Sequence, residues 1–269
     1  MSGRDDMYFP PPPPPVMPVL LNSIPPINPI SACGFITVPV SVIPCGFQHP
    51  EQELFEATRL LWERERSEYP PEVLCYNHIQ PILQDGPKCG LVALSMASTL
   101  TRQPLSVEQL FWKAVNRGFS HHGEMFSVDN MAALAAETLQ DSCQQVEVLN
   151  RGLGHDVTYI LGHLAHGAIL LVPYDADANH APCLRRGHKA HWAAVCGAVR
   201  LDSSVVYVVA RQGKSRRLAL WSYEELRLSN ENLIELDPIR AADGRGYVLP
   251  HGGVAAGLRG RAILLHGLN

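Results

Sequence analysis

The stretch LQDGPKCGLVALSMAS, residues 83–98, places a glutamine, a Gly-Pro turn and a cysteine directly ahead of an apolar run of helical length. Two readings compete. In one, Gly86 and Pro87 form an ordinary turn and Cys89 is a small buried hydrophobe. In the other, the turn delivers Cys89 to the first turn of a helix, where unpaired backbone N–H groups and the helix dipole favour the thiolate. A neighbouring imidazolium would take the thiol pKa from about 8.5 into the range of roughly 3.5 to 7.5. Gly90 would then admit a substrate backbone. Acyl transfer also needs donors aimed at the oxygen that becomes negative. The Gln84 amide can point across the turn and, with the Cys89 N–H, complete an oxyanion hole.

A nucleophilic cysteine needs a base, and the chain offers 12 histidines. His191, in GHKAHWAAVCG, is the best placed: it begins an apolar strand, and Trp192 can shield a site beside it. His188 is a near competitor in the preceding loop. The turn LDSS, residues 201–204, separates two β-rich runs and makes them an antiparallel hairpin. Residue 191 then lies opposite roughly 212–214, which puts Gln212 at the same end of the sheet. Asp202 would be on the order of 30 Å away along the strand. Gln212 is therefore the expected orienter of the imidazole, although a carboxylate or asparagine is more usual in that role.

The rest of the chain is consistent with an enzyme-sized globular protein. Its 269 residues are 46% hydrophobic and 18% charged, with a net charge of -4, so nothing draws it globally to nucleic acid or an anionic membrane. The 7 cysteines are irregularly spaced, without a CxxC pair, which is poor usage for a disulfide framework and suits a reducing, cytoplasmic setting. The start lacks a secretory signal, and prolines interrupt the apolar run from Val16 to Phe47, which argues against a membrane helix. Residues 1–50 read as a disordered proline-rich leader. Within it, Pro10–Pro15 is a polyproline II tract suited to an SH3, WW or profilin-type partner.

Residues 51–269 read as the folded domain. A first helix presents Leu54, Ala57, Leu61 and Trp62 on one face, a loop through Tyr69-Pro70-Pro71 follows, and a second helix runs from Cys89 to Leu100. Further helices follow Ser106 and span Ser127–Leu139, the latter capped by Ser127 or Asp129. After Gln140 come β-rich runs: QQVEVL, AILLVPY, HWAAVCGAVR, VVYVVAR and RLALWS, with YVLP and RAILL as further candidates. Early helices and late strands make the fold class α+β, with N-terminal helices packed on a C-terminal antiparallel sheet.

QDGPKCG, then LVPYDADANHAPCLRRGHKAHWA, then QGKSRRLALWSYEELRLSNENL together resemble the actin maturation protease family, C39-like peptidases of the papain type. The resemblance runs from about Gln80 to the C-terminus, a proline-rich leader is also typical of the family, and the stretch 140–168 reads as shortened. It implies a papain-like fold and a cysteine aminopeptidase that removes N-acetylmethionine or N-acetylcysteine from immature actin. On that resemblance Cys89 matches the nucleophile, His191 the base and Gln84 the oxyanion position. Gln212 departs from the residue usual in the third role.

Arg185, Arg186, Lys189, Arg211, Lys214, Arg216 and Arg217 cluster around the proposed base and orienter. The substrate-binding candidates among them are Arg185, Arg186, Lys189 and Lys214, as a basic rim for an actin N-terminus that is acidic just beyond its first residue. An acetylated substrate has no ammonium to grip, so a neutral acyl pocket is expected. His180, Cys183, His188 and His191 are close in sequence but match no standard zinc spacing, and neither metal nor cofactor is expected. His121 and His122 read as a loop bordering the cleft. The rival readings are an inactive peptidase-fold adaptor that recruits partners through the polyproline tract, and a cysteine peptidase with another N-terminal substrate.

Overall fold

A run such as Ile169–Asp175, ILLVPYD, has no polar face to turn toward water, so a sheet built from it must be covered on both sides. The structure, a computed structural model that describes residues 50–202 and 205–269, is built in that way. Its elements are α1 (Pro50–Glu65), β1 (Glu72–Tyr76), α2 (Cys89–Ser98), α3 (Val107–Asn116), α4 (Val128–Thr138), β2 (Gln145–Leu149), α5 (Val157–Ala165) and β3 (Ile169–Asp175). There follow β4 (Ala190–Leu201), β5 (Val205–Gln212), β6 (Ala219–Ser222), α6 (Tyr223–Glu231), α7 (Pro238–Ala241), α8 (Gly253–Leu258) and β7 (Ala262–His266). The sheet is antiparallel, in the order β2-β7-β3-β4-β5-β6, with β1 added to the far half of β4.

Side chains alternate between two cores. Ile169, Leu171, Ala194 and Val209 pack with Leu91 and Leu94 of α2, Leu110 of α3 and Met131 of α4. Leu170, Val172, Val195 and Val208 pack with Ile160 and Leu164 of α5 and Leu226 of α6. The expected α+β class is thus observed, with helices on a sheet that is antiparallel throughout. The early helices supply one layer, and α5 and α6, which the sequence reading did not place, supply the other.

Helix starts follow local chemistry. Ser106 and Gln109 form a reciprocal capping box at α3, and the Ser127 hydroxyl accepts from the Asn130 N–H at α4. Asp129 does not cap; its carboxylate pairs with Arg261 at 2.6 Å. In α1, Leu54, Thr58 and Leu61 are buried, while Trp62 points outward and donates its indole N–H to the Ser67 carbonyl. Strand β1 was missed because its burial is only partial and it follows two prolines. The YVLP segment forms no strand, and Val248 instead donates its N–H to Glu124. The proline tract Pro10–Pro15 and the rest of residues 1–49 lie outside the described residues.

Strand β4 determines the geometry near its own start. Its ladder with β5 runs from Leu201↔Val205 to Gly197↔Val209, then shifts at Cys196 and resumes as Val195↔Ala210 and Ala193↔Gln212. Opposed residues in an antiparallel pair share a face, so the bulge brings Gln212 onto the face of Ala193, and therefore of His191. Unshifted pairing would set Gln212 against Ala194, on the other face. β1 anchors the bulge: the Asn77 N–H donates to the Cys196 carbonyl at 2.7 Å. A Cβ on Gly197 would lie 2.4 Å from the Cys75 carbonyl oxygen, so only glycine allows the two strands this close.

Arg211, expected on a basic rim, is instead fully buried beneath the sheet's edge. Its guanidinium meets the Glu53 carboxylate of α1 at 2.7 Å and donates to the carbonyls of Ile79 and Arg216. Removing one partner of such a pair leaves a buried charge uncompensated. Glu53→Ala is expected to destabilise the fold by about 3–5 kcal/mol in urea denaturation. A loss below about 1 kcal/mol would place Arg211 in contact with water instead.

Candidate active site

Gly86, at φ +65°, turns the chain sharply, and α2 starts at Cys89 with no side chain capping it. The first N–H groups of the helix are therefore available to the thiol. Gln84, ahead of the turn, is tied to the far end of β5: its N–H donates to the Gly213 carbonyl at 2.6 Å. The loop that carries Gln84 and the strand that carries Gln212 are thus locked together. Gly90 serves packing rather than substrate access, since a Cβ there would lie 2.5 Å from the Met131 methyl and 3.0 Å from Met125 Cβ.

Cys89, Gln84 and His191 line one cavity of about 270 Å³, together with Met125, Phe126, Trp192 and Leu258. Trp192 is held by donation of its indole N–H to the Met125 carbonyl at 2.9 Å, so it closes the floor between β4 and the loop before α4. His188 turns away to Glu235 at 2.9 Å and does not line the cavity. His121 and His122 border the cavity only indirectly, through their backbone N–H groups, which donate to Glu124.

The chain between β3 and β4 is clamped by a carboxylate that sequence reading did not single out. Asp175, completely buried, accepts from the backbone N–H groups of Arg185 and of Gly187 (3.0 Å). The Cys183 N–H donates to its carbonyl, and the Ser229 hydroxyl bridges its backbone from α6. His191 follows directly and is 5% exposed, paired in the ladder with Tyr174. Its imidazole pKa is pushed down to about 3, chiefly by burial, with His180, Lys214 and Lys189 adding to the effect. Gln212 opposes this through a hydrogen-bonding contact with the ring. The Gln212 Oε1 also accepts the Lys214 N–H at 2.7 Å, which holds the amide against the turn.

Burial likewise pushes the Cys89 thiol up, against the N–H groups of Trp192, Gly90 and Cys89 and the charge of Arg240, which favour the thiolate. Burial thus acts on both groups in the direction of their uncharged forms, against the pull of the helix N-terminus on the thiol. The Gln84 Nε2 donates to the Gly86 carbonyl at 2.5 Å, which fixes the amide across the turn and leaves its second N–H free.

The basic rim is rearranged. Lys189 and Lys214 line the cavity, as expected. Arg185 is exposed and outside it, and Arg186 is engaged with Glu235 at 2.8 Å. Arg240 of α7, far off in sequence, takes their place, its guanidinium packed over Phe126 and Tyr247 at 5.7 Å from each ring. Glu124 is the one acidic group on the wall, and donors from Ser120, His121 and His122 satisfy its carboxylate. Among the described residues no three of His, Cys, Asp and Glu converge as metal ligands, and no helix is long and apolar enough to cross a membrane.

Comparison with known proteins identifies the family of the chain. The family described as "Actin maturation protease-like, C-terminal domain" matches residues 79–199, a span that contains Gln84, Cys89 and His191. An actin maturation protease of Danio rerio is 40% identical over 257 residues, 80% of this chain and 82% of that protein. That of Homo sapiens is 43% identical over 223 residues, 68% of this chain and 63% of its own, less than two thirds of its length. That of Drosophila melanogaster is 39% identical over 203 residues, covering 74% and 73%. A putative C39-like peptidase from Bacillus anthracis aligns with 73% of this chain and 98% of its own, at 12% identity and a TM-score of 0.43, too distant to bear on function. With a cysteine at a helix start, a histidine at a strand start and 40% identity over four fifths of its length, this chain belongs to the actin maturation protease family.

Proposed function

We propose that the chain is a cysteine aminopeptidase that removes the N-acetylated first residue, N-acetylmethionine or N-acetylcysteine, from immature actin. The observation that carries this reading is the cavity where Gln84, Cys89 and His191 meet beside three cationic side chains, with no free carboxylate among the described residues that line it to hold a substrate ammonium.

Each residue has a stated part. His191 takes the proton from the Cys89 thiol as the sulfur attacks the scissile carbonyl carbon. The oxygen, now negative, accepts hydrogen bonds from the Cys89 N–H and the free N–H of Gln84 Nε2. The imidazolium returns its proton to the leaving nitrogen, and the C–N bond breaks to give a thioester and the shortened actin chain. Water, deprotonated by His191, then attacks the thioester, releasing the N-acetyl amino acid and restoring the thiol. Gln212 holds the imidazole in orientation. Met125, Phe126 and Leu258 offer the acyl group an uncharged wall, while Lys189, Lys214 and Arg240 receive the acidic residues that follow it. The setting is cytoplasmic, and a polyproline-binding protein such as profilin, engaging Pro10–Pro15, is the proposed partner in delivering actin. The 5 described cysteines are all free.

Intact mass spectrometry of N-acetylated actin tests the reading: the wild-type chain removes one acetylated residue, and Cys89→Ala removes none. Loss with neither, even with profilin supplied, would favour the adaptor. His191→Ala should be nearly as inactive as Cys89→Ala, and Gln84→Ala should lose about 10²–10³ in kcat. Gln212→Ala should lose least. Because the imidazole must be unprotonated to act and its pKa is lowered to about 3, kcat/KM should stay level as pH falls from about 8 to 5. An acid limb centred near the ordinary histidine pKa of about 6.5 would contradict the lowered imidazole pKa. Lys214→Glu should raise KM for an acidic peptide by about tenfold at low salt, with the effect shrinking as salt is added.

A further inference from the structure

Outside the residues given a role above, His180 is the side chain on the cavity wall whose conformation is hardest to explain by packing alone. Its backbone is left-handed, at φ +61°, a region that non-glycine residues enter at a cost. Three contacts enforce it. The Tyr174 hydroxyl donates to the His180 carbonyl at 2.8 Å, and the His180 N–H donates to the Asp177 carbonyl at 3.3 Å. The Asp177 carboxylate caps the turn by accepting the Ala181 N–H at 2.9 Å. The result sets the His180 ring 5.5 Å from that of His191, inclined at 36°.

A second observation points to a ligand. Among the described residues, 5 buried side-chain polar atoms have no hydrogen-bond partner, and 3 of them belong to this cavity wall: Gln84 Oε1, His180 Nδ1 and His191 Nε2. Each such atom is costly to leave unpaired, and folds keep them chiefly where function supplies the partner. Burial, with Lys189 and Lys214, which also line the cavity, lowers the His180 imidazole pKa and so favours the form that donates from one nitrogen and accepts at the other.

Acyl transfer fixes which part of the substrate passes His180. The base hands its proton to the leaving nitrogen, so the leaving chain must run beside His191, on the flank where His180 stands. We infer that the His180 imidazole is a substrate-binding group that hydrogen-bonds the first peptide unit of the leaving chain. This rests on the peptidase reading and extends it: the enzyme recognises the chain it retains as well as the residue it removes, and therefore prefers a polypeptide to an amide of any simple amine.

The test compares two substrates on purified full-length chain: an N-acetylmethionyl peptide with acidic residues after the methionine, and N-acetylmethionine 4-methylcoumarylamide, which has no peptide unit beyond the scissile bond. His180→Gly removes the imidazole and takes φ +61° without strain, and His180→Asn keeps a hydrogen-bonding group in a side chain tolerant of that backbone. Thermal melting shows that both variants fold. For His180→Gly, the fall in kcat/KM on the peptide is expected to exceed that on the coumarylamide by about tenfold, the worth of one hydrogen bond to a buried partner. His180→Asn should recover part of the difference. Equal losses on both substrates, or none on either, would overturn the inference while leaving the peptidase reading intact. A wild-type chain that cleaves neither substrate would overturn both.

Discussion

The bulge at Cys196 and Gly197 puts His191 and Gln212 on the same face of the sheet, and the remainder of the site is arranged around that fact. A strand has a period of two, so one extra residue exchanges the faces of everything beyond it. β4 tolerates the interruption because β1 takes up the bulged backbone, with Asn77 bonded to the Cys196 carbonyl and Gly197 clearing space for Cys75. Beyond the bulge, β3 replaces β1 as the neighbour, and Asp175 at its end gathers the loop that returns to His191. On the other side, the Gly213 carbonyl ties down Gln84 and so sets the turn from which α2 starts. Gln84, Cys89, His191 and Gln212 are all referred to a single bulged strand.

The electrostatics follow from enclosure. Both members of the Cys89 and His191 pair are driven toward their uncharged forms by burial, and the cations nearby reinforce this for the imidazole while favouring the thiolate. Glu124 is the one carboxylate among the described residues on the wall, against three cations, and loop donors already occupy its oxygens. The cavity therefore suits a substrate with no charge at its blocked end and negative charge beyond it.

Legibility of the site from sequence tracked locality. Cys89 at the start of a helix, the caps at Ser106 and Ser127, and the hairpin across residue 202 were readable because each depends on a few neighbouring residues. Gln212 was found by counting through that hairpin. The count carried an uncertainty of one residue, the size of the bulge, and only a range of partners could be named. Of the basic cluster, Lys189 and Lys214 line the cavity, Arg185 lies outside it, and Arg186 and Arg211 pair with Glu235 and Glu53. Density of charge along the chain does not say which side chains find carboxylates. Arg240, Asp175 and Glu124 carried no local signal, and His180 stood out only as one of a loose His/Cys set that matched no zinc spacing.

What the sequence by itself determined was the chemistry on offer: a thiol at a helix start, an amide five residues before it, an imidazole at the start of an apolar strand and a surplus of cations nearby. These follow from periodicity, capping and turn preference, which act over a turn of helix or a pair of strands. What only the tertiary structure decided was which of these groups share a cavity and in what charge state. That depends on β1 supporting a bulge some 120 residues away, on Glu53 neutralising Arg211 across 158 positions, and on burial, a property of the packed molecule and of no single segment. A pKa is set by the dielectric and charges around a group, and those surroundings come into being only when α2, β4 and the loop at Glu124 close on one another.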